Sequence, residues 1–300
     1  MLQRYDPRNA DLLVNVNGQL VHRDQAGVSP FDSCVQNGDA VWEGLRLYRG
    51  GVFRLTAHLA RLRRSAEALQ YAAIPSDDEL RAQLRATLRA NDMHDGVHIR
   101  LMLTRGVKLT SGLDPRLNTR GCSVLVLAEH KPPVYDKQGL RLITALHRRP
   151  GPEVLNQNIH SANQLTSILA KLEANAAGAD DALMLDTRDF VAETNATHLF
   201  FVKAGTLCTP STRACPEGIT RQAVLDLCVA HDIPHAVGDF TRDEFLNADE
   251  VFCTGTMGEL APVLELDGER LGAGAIGPLT TRLSELFRAL VERECEPLLD

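Results

Sequence analysis

The sequence predicts an α/β (α+β) protein with two lobes, and three observations lead to this prediction. Strand-like and helix-like segments alternate with short loops in both halves of the chain. A length of 300 residues corresponds to about two domains of ordinary size. Two adjacent prolines, within His-Lys-Pro-Pro-Val-Tyr at 130–135, can continue neither a strand nor a helix. We therefore predict an N-terminal lobe over 1–130, a linker over 131–139 and a C-terminal lobe over 140–300, with a cleft between the lobes.

The N-terminal half opens with the signal of a β-hairpin. Apolar runs at 12–16 and 19–21 flank Asn17-Gly18, a dipeptide that favours a type I′ turn because both central residues adopt positive φ. Thr56 is placed to cap a helix that runs to about Leu69, since its hydroxyl can accept a bond from the first N–H groups.

Further elements of this half follow from the same rules. Ser76 and Glu79 form a capping box, which predicts a helix that ends near Asn91. Apolar residues between 41 and 55 predict two strands on either side of the turn at 49–51. The remaining predicted strands of this half span 98–104 and 123–128.

The C-terminal half continues the alternation of strands and helices. Short apolar runs bounded by turn residues predict strands, and apolar residues at helical spacing predict helices. The predicted strands span 140–146, 181–185, 190–192, 199–202, 206–209 and 250–254. The predicted helices span 163–176, 220–231 and 279–292.

Composition excludes several classes of function. A formal net charge of −7 and a pI near 5.8 give no basic surface for a nucleic acid. No apolar run approaches the roughly 20 residues of a membrane helix, and the first residues lack the apolar core of a signal peptide. The seven cysteines contain no Cys-x-x-Cys pair, which is typical of reduced thiols rather than of a disulfide framework or a zinc site. We expect a cytoplasmic protein with no metal site, no nucleic-acid partner and no membrane association.

Two glycine-containing segments are candidate anion sites. Gly218 precedes the helix predicted from Thr220, and the N–H groups at a helix N-terminus suit a phosphate. The segment at 254–256, Thr-Gly-Thr, follows an apolar strand and is a second candidate. Both alternatives stay open here: Thr220 caps an ordinary helix, and the second segment is a plain turn.

Three ionisable side chains are candidates for chemistry. Arg61 shares a helix face with His58 and is either a phosphate clamp or a solvated arginine. Glu193 is either exposed at a sheet edge or buried against a cation. His160 is either a general base or a structural histidine. Candidate carboxylate binders, each with a solvated alternative, are Arg100, Arg105, Arg148 and Arg149.

In their order and spacing, the segments resemble the class IV aminotransferases, the fold type IV group of pyridoxal 5′-phosphate (PLP) enzymes. This group contains branched-chain and D-amino-acid aminotransferases and aminodeoxychorismate lyase. The matching segments are 38–46 (GDAVWEGLR), 53–55 (FRL), 58–62 (HLARL), 103–106 (LTRG), 182–186 (ALMLD), Glu193, 199–200 (LF), 218–221 (GITR) and 254–256 (TGT). The resemblance covers nearly the whole chain. It implies the two-lobe fold type IV architecture and amino-group transfer between a 2-oxo acid and an amino acid, either branched-chain-like or of D configuration.

The resemblance also implies roles for individual residues. Arg61 is similar to the family's phosphate-binding arginine, and Glu193 to the carboxylate that keeps the pyridine nitrogen protonated. The other implied cofactor contacts are Gly218, Ile219, Thr220, Gly255, Thr256 and Gln164. Candidate substrate contacts are Arg100, Trp42 and Arg46. The family is usually dimeric with each site near the subunit interface, so we expect a homodimer.

The chain departs from the family pattern at the lysine that links covalently to PLP. Counting back from Glu173 leads to Ile159 or His160, and none of the five lysines lies there. Gln164 stands where a tyrosine is usual. We therefore predict that PLP binds non-covalently with His160 near its reactive carbon, and that ordinary transamination is slow or absent. Two alternatives remain: a homologue that binds PLP or another small ligand without transamination, and an enzyme similar to aminodeoxychorismate lyase.

Overall fold

The computed structural model describes residues 3–135 and 137–299, which divide into two compact units. Within the linker predicted at 131–139, Asp136 lies outside the described residues. The N-terminal unit consists of 4–132, 159–163 and 294–299, and the C-terminal unit consists of Gln3, 133–135, 137–158 and 164–293. Each unit combines a β-sheet with helices, so the predicted α/β class is confirmed. Strands and helices are numbered in chain order as β1–β16 and α1–α7.

The N-terminal unit is built on a seven-stranded antiparallel sheet. Its strands are β1 (Leu13–Val16), β2 (Gln19–His22), β3 (Ala40–Tyr48), β4 (Gly51–Phe53), β5 (Val97–Thr104), β6 (Ser123–His130) and β16 (Cys295–Pro297). They lie in the order β16-β4-β3-β5-β6-β1-β2. The helices of this unit are α1 (Ser33–Asn37), α2 (Leu55–Ala68) and α3 (Asp77–Ala90). The leucines of α2 and α3 are buried in one apolar core with the sheet, as the helical spacing of these leucines requires.

The turn and cap signals of this unit have different outcomes. Asn17 and Gly18 both have positive φ, 53° and 84°, so the predicted hairpin turn is confirmed. The capping box of Ser76 is also present. The prediction that Thr56 caps α2 is wrong, because α2 begins at Leu55 and the N–H of Thr56 donates to Glu296 Oε1 at 2.7 Å. A carboxylate from β16 therefore covers this helix N-terminus.

Two later segments belong to the N-terminal unit because they pair with its sheet. β16 pairs antiparallel with β4. In the segment 159–163, the carbonyl of His160 accepts from the N–H of Trp42, and the N–H of Ala162 donates to the carbonyl of Ala40. This segment therefore lies along the start of β3, and it fixes His160 on the N-terminal unit.

The C-terminal unit contains a nine-stranded mixed sheet. Its strands are β7 (Leu140–Thr144), β8 (Asp181–Leu185), β9 (Val191–Thr194), β10 (His198–Lys203), β11 (Thr206–Pro210), β12 (His235–Gly238), β13 (Glu250–Gly255), β14 (Glu259–Leu266) and β15 (Glu269–Arg270). They lie in the order β12-β11-β10-β13-β14-β7-β8-β9, with β15 paired to β14. The helices of this unit are α4 (Leu165–Ala176), α5 (Ile219–Ala230), α6 (Arg242–Leu246) and α7 (Pro278–Glu294).

Strand β14 is a central strand that the sequence does not predict. Pro262 explains this, because proline lacks a backbone donor and usually marks an edge strand or a loop. In β14, Pro262 lies opposite Phe252 of β13, and the apolar residues around it are buried. Among residues 3–135 and 137–299, no helix is both long enough and apolar enough to cross a membrane.

Candidate functional site

One group of predicted site residues comes together in the N-terminal unit around a carboxylate of β3. Arg61 of α2 donates to Glu43 through Nε at 2.8 Å and through Nη2 at 2.7 Å, which is a bidentate pair. His58 Nδ1 lies 2.6 Å from Glu43 Oε2, and His160 Nδ1 lies 3.5 Å from Glu43 Oε1. We call Glu43, His58, Arg61 and His160 the Glu43 network.

The Glu43 network is buried and its charges are paired. Glu43 is 0% exposed and Arg61 is 6% exposed. Burial alone would raise the pKa of Glu43, but the Arg61 guanidinium and the neighbouring histidines hold that pKa well below its ordinary value. Burial and Arg61 lower the pKa of His160, and Glu43 acts in the opposite direction. At neutral pH the network therefore contains a carboxylate, a guanidinium and a neutral His160.

The contacts of His160 assign the proton of its neutral ring to one nitrogen. Nδ1 lies 2.5 Å from the carbonyl oxygen of Trp42, and a carbonyl can only accept. Nδ1 therefore carries the proton and Nε2 keeps its lone pair, as a general base requires. The Trp42 ring stacks on the imidazole with 4.5 Å between centroids, and Ser65 Oγ accepts from the backbone N–H of His160. Contacts from β3 and α2 thus hold His160 in one orientation.

The burial of Arg61 excludes one of the two interpretations of this residue. The interpretation of Arg61 as a solvated arginine is wrong, because its guanidinium is paired with a fully buried carboxylate. The phosphate contact of Arg61 stays a prediction. Sequence reasoning missed Glu43, although the signal was present: a carboxylate in an otherwise apolar strand, followed by a helix that carries Arg61 and His58 on one face.

The three candidate substrate residues share one face of the N-terminal sheet. Gly44 of β3 lies opposite Arg100 of β5, and Trp42 and Arg46 flank Gly44 at alternate positions of β3. Because side chains alternate along a strand, Trp42, Arg46 and Arg100 project to the same side. The guanidinium carbon of Arg100 lies 4.0 Å from the centre of the Trp42 ring, and burial lowers the pKa of Arg100. This face combines an aromatic surface with two cations.

In the C-terminal unit, Glu193 of β9 is buried against a cation. Arg149 Nη2 contacts Glu193 Oε1 in an ion pair whose two side chains are almost fully buried. His198 of β10 brings its Nδ1 to 3.7 Å from Glu193 Oε2. The edge-exposed alternative for Glu193 is therefore wrong. Arg149 is not a surface arginine either, since it is bound to Glu193.

Cys215 forms a cluster of three possible metal ligands with Glu193 and His198. Glu193, His198 and Cys215 each offer one ligand atom, and these atoms lie within 4.8 Å of one another. Sequence reasoning could not bring the three together, because their spacing matches no metal motif. Local charge opposes a cation, since Arg149 already neutralises Glu193. Burial and the charge of Glu193 raise the pKa of the Cys215 thiol, whereas a metal requires the thiolate.

The start of α5 lies beside the same cluster. Gly218 is the N-cap residue, so the alternative in which Thr220 caps the helix is wrong. A Cβ on Gly218 would lie 2.3 Å from the imidazole of His198, and only glycine fits this close approach. The N–H groups of Ile219 and Thr220 have no acceptor within the helix, and such groups attract an anion.

The Thr-Gly-Thr segment is also close to His198. Thr254 lies opposite His198 in the pairing of β10 with β13, and Gly255 is the last residue of β13. Thr256 lies in the turn that leads to β14. Among the described residues, the buried Thr254 Oγ1 has no hydrogen-bond partner. Glu193, the start of α5 and this turn therefore belong to one site region of the C-terminal unit.

Four of the five lysines are engaged in contacts of their own. Lys171 Nζ binds the Asp181 carboxylate at 2.9 Å, so it is held by β8. The other three donate to oxygens near them: Lys108 to Asn37 and Gly112, Lys137 to Gly258 and Leu260, and Lys203 to Asn247. Gln164, at the position where a tyrosine is usual, is the N-cap residue of α4.

Known proteins resemble the chain over most of its length. The sequence profile of the amino-transferase class IV family matches residues 40–266. Branched-chain-amino-acid aminotransferase-like protein 2 of Arabidopsis thaliana is 48% identical over 97% of this chain, which covers 52% of that protein. The chain thus spans about half the length of this curated relative. A putative branched-chain-amino-acid aminotransferase of Methanocaldococcus jannaschii is 38% identical over 92% of this chain and 95% of its own length.

A solved structure gives the same result for the fold. The branched-chain amino acid aminotransferase of Thermobaculum terrenum, in its PLP-bound holo form, is 26% identical and superposes with a TM-score of 0.86. The match covers 97% of this chain and 100% of that one. The chain therefore has the fold of this aminotransferase.

Proposed function

The chain belongs to the class IV aminotransferase family, and from this membership we propose that it binds PLP and acts in amino-group transfer between an amino acid and a 2-oxo acid. One observation carries the proposal. The start of α5, where only glycine fits at position 218, lies against His198, and His198 adjoins the buried carboxylate of Glu193. An anion site and a carboxylate in one region are what a phosphate joined to a pyridine ring requires.

The residues present fit this group in detail. The N–H groups of Ile219 and Thr220 would hold the phosphate, with Arg61 and Thr256 as further donors. Glu193 would hold the ring nitrogen. When bound, PLP supplies an electron sink for the substrate carbon, which no side chain of the protein can provide.

Arg149 weakens the effect of Glu193 on the protonation of a neighbouring group. Because the guanidinium shares the charge of the carboxylate, Glu193 retains a proton on a neighbouring nitrogen less strongly than a lone buried carboxylate would. The structure also gives Glu193 a second polar neighbour in His198. Both contacts support a carboxylate that orients a ring while its charge is partly balanced.

His160 is proposed to move the proton of the reaction. Its neutral ring keeps a lone pair on Nε2, and a positioned histidine contributes typically about 10² to 10⁴ in rate. Histidine has no primary amine, so it cannot take over the covalent link that the family's lysine makes. The contacts of Lys108, Lys137, Lys171 and Lys203 support the same conclusion, because each amine is already bound elsewhere. We therefore propose that PLP is held non-covalently.

The substrate class is inferred from the face that carries Trp42, Arg46 and Arg100. A guanidinium binds a carboxylate through two parallel hydrogen bonds, and the indole offers an apolar surface to a side chain. These features support an amino acid with an apolar, branched-chain-like side chain. Amino transfer to a 2-oxo acid, measured with each of the two enantiomers, decides whether the amino acid has the L or the D configuration.

A second candidate function is a homologue that binds PLP without transaminating. The observation that favours it is the absence of a lysine at 159–160, where counting back from Glu173 places the family's lysine. In this case the Glu43 network and the start of α5 would bind the cofactor, and turnover would be absent.

Free cysteines at all seven positions support a reducing compartment, which we propose to be the cytoplasm.

We also propose a homodimer, because α4 exposes an apolar stripe. Leu165, Ile168 and Leu172 are 67%, 54% and 58% exposed, and their spacing places them on one face of the helix. Leu146 extends the stripe, since it is 84% exposed and its N–H donates to Glu173 of α4. A second copy of the chain would cover this surface, as contiguous exposed apolar residues usually mark an interface.

Borohydride reduction of the PLP-loaded protein tests the proposed cofactor chemistry. We expect peptide mapping to find no reduced adduct on any of the five lysines, while the cofactor, reduced to its alcohol, leaves the protein on denaturation. An adduct that disappears when one lysine is replaced by arginine would contradict non-covalent binding. Failure of the protein to retain any PLP would contradict the proposed function itself.

His160→Lys gives the matching gain-of-function test. This variant should form a reducible adduct at position 160 and should raise amino transfer from an apolar amino acid to a 2-oxo acid at least tenfold. His147→Lys serves as the control, because His147 is exposed and bound to Glu173. Equal activity in the two variants would show that position 160 is not near the reacting carbon.

A further inference from the structure

Glu43 accepts three hydrogen bonds within the Glu43 network. Oε1 accepts from Arg61 Nε and faces His160 Nδ1, and Oε2 accepts from Arg61 Nη2 and from His58 Nδ1. A carboxylate has about four acceptor sites, and three of them receive hydrogen bonds here, since the Nδ1 proton of His160 is donated to the Trp42 carbonyl. Since a carboxylate can only accept, His58 donates to Glu43 through Nδ1, and among the described residues the buried His58 Nε2 has no hydrogen-bond partner.

The position of Glu43 makes it act on two proposed functional groups at once. Its negative charge offsets the guanidinium of Arg61, which weakens the attraction of Arg61 for any other anion. The same charge favours a proton on His160, whereas Arg61 disfavours it. In the buried region both effects are stronger than they would be in water. Glu43 of β3 and Arg61 of α2 are the charges that act on His160, and His58 of α2 binds the same carboxylate.

We propose that Glu43 is a positioning residue for the proposed reaction: by balancing the charge of Arg61, it sets both the strength of the anion site and the basicity of His160. The inference rests on the proposed function, in which Arg61 holds a phosphate and His160 moves a proton. Without Glu43, Arg61 would hold the phosphate more tightly and His160 would be a poorer base. With a phosphate bound, the added negative charge would make His160 more basic, so the loaded protein would have the stronger base.

The test compares the full chain with Glu43→Gln, which keeps the shape of the side chain and removes its charge. The pKa of His160 is followed by NMR of histidine-labelled protein, with the signal assigned by its loss in His160→Gln. Affinity for inorganic phosphate is measured by calorimetry. We expect Glu43→Gln to lower the pKa of His160 by about one unit and to tighten phosphate binding about tenfold. Glu129→Gln of β6 removes a charge from the same unit and should change neither quantity.

An unchanged pKa of His160 together with unchanged or weaker phosphate binding in Glu43→Gln would overturn the proposal. Should that variant fail to fold, Arg61→Gln leaves Glu43 to act alone and should raise the pKa of His160 by at least one unit. A folded Arg61→Gln in which the pKa of His160 does not rise would equally overturn the proposal. Wild-type protein that binds no phosphate would contradict the proposed cofactor site, while the titration of His160 would still decide the role of Glu43.

Discussion

Two buried arginines, one in each unit, are paired with buried carboxylates. Arg61 is paired with Glu43, and Arg149 is paired with Glu193. Desolvation of two ions costs about as much as their attraction returns, so such pairs stabilise a fold only modestly in net terms. Removal of one partner is different, because the other charge then remains buried without compensation. Each pair is therefore better understood as holding a functional side chain in one orientation than as a source of stability.

Arg149→Ala should lower the free energy of unfolding of the protein by about 3–5 kcal/mol, because it leaves the carboxylate of Glu193 buried and unpaired. Urea denaturation at pH 7 measures the difference. The neighbouring Arg148 gives a matched control, since it is 36% exposed and its partner Asp189 is 76% exposed. Arg148→Ala should cost about 0–1 kcal/mol. Equal losses for the two arginines would show that the buried pair has no special role.

The two pairs also show what sequence can and cannot predict about single residues. The resemblance to a family identified Arg61, Glu193 and the start of α5, because these lie in short motifs. The partners Glu43 and Arg149 lie 18 and 44 residues away from them, and pairing over such distances depends on the fold. Counting from a motif led to position 159 or 160, but the tautomer of His160 depends on a carbonyl of β3.

The start of α2 departs most clearly from the rule that a helix N-terminus is capped by a residue close to it in sequence. The residue before it, Arg54, has a left-handed conformation with φ of 48° and makes no side-chain cap. Glu296 supplies the missing acceptor, with Oε1 2.7 Å from Thr56 N and Oε2 2.6 Å from Thr56 Oγ1. Local propensity predicted the helix itself and the capping box of α3. It could not predict a cap that comes from a strand 240 residues later.

Glu296→Ala should destabilise the N-terminal unit by about 1 kcal/mol at pH 7, because it removes a charged cap from a helix N-terminus. Burial would raise the pKa of Glu296, but the bonds from Thr56 and Arg81 lower it overall in the folded state. A lowered pKa means that the contribution is full above the unfolded value near 4.5 and is lost as pH falls through the folded value.

Denaturation at several pH values checks this prediction for Glu296. The difference between Glu296→Ala and the wild type should be largest at pH 6–7 and should shrink towards pH 3. Glu269→Ala is the control, since this exposed glutamate of β15 caps no helix. A difference that stays constant with pH would mean that the side chain of Glu296 acts by packing and not by its charge.

The apolar stripe of α4 is unusual for the surface of a helix that is in contact with water. A helix that packs on one side only should be polar on the other, yet α4 exposes Leu165, Ile168 and Leu172. Its buried face consists of small residues, Ser167, Ala170 and Ala174, which pack in their own unit. Both faces of α4 thus have an apolar character that is typical of a helix covered on both sides.

The proposed homodimer can be tested on this stripe. Sedimentation velocity at micromolar concentration should give the wild type a mass of twice 32.9 kDa. Ile168→Asp combined with Leu172→Asp should give a monomer, because a charge buried in an apolar interface costs several kcal/mol. Val229→Asp is the control, since Val229 is an exposed apolar residue of α5, at 69%, outside the stripe. If the double variant stays dimeric, the interface lies elsewhere on the protein. A monomeric wild type would contradict the proposed dimer, and the stripe would then need another partner.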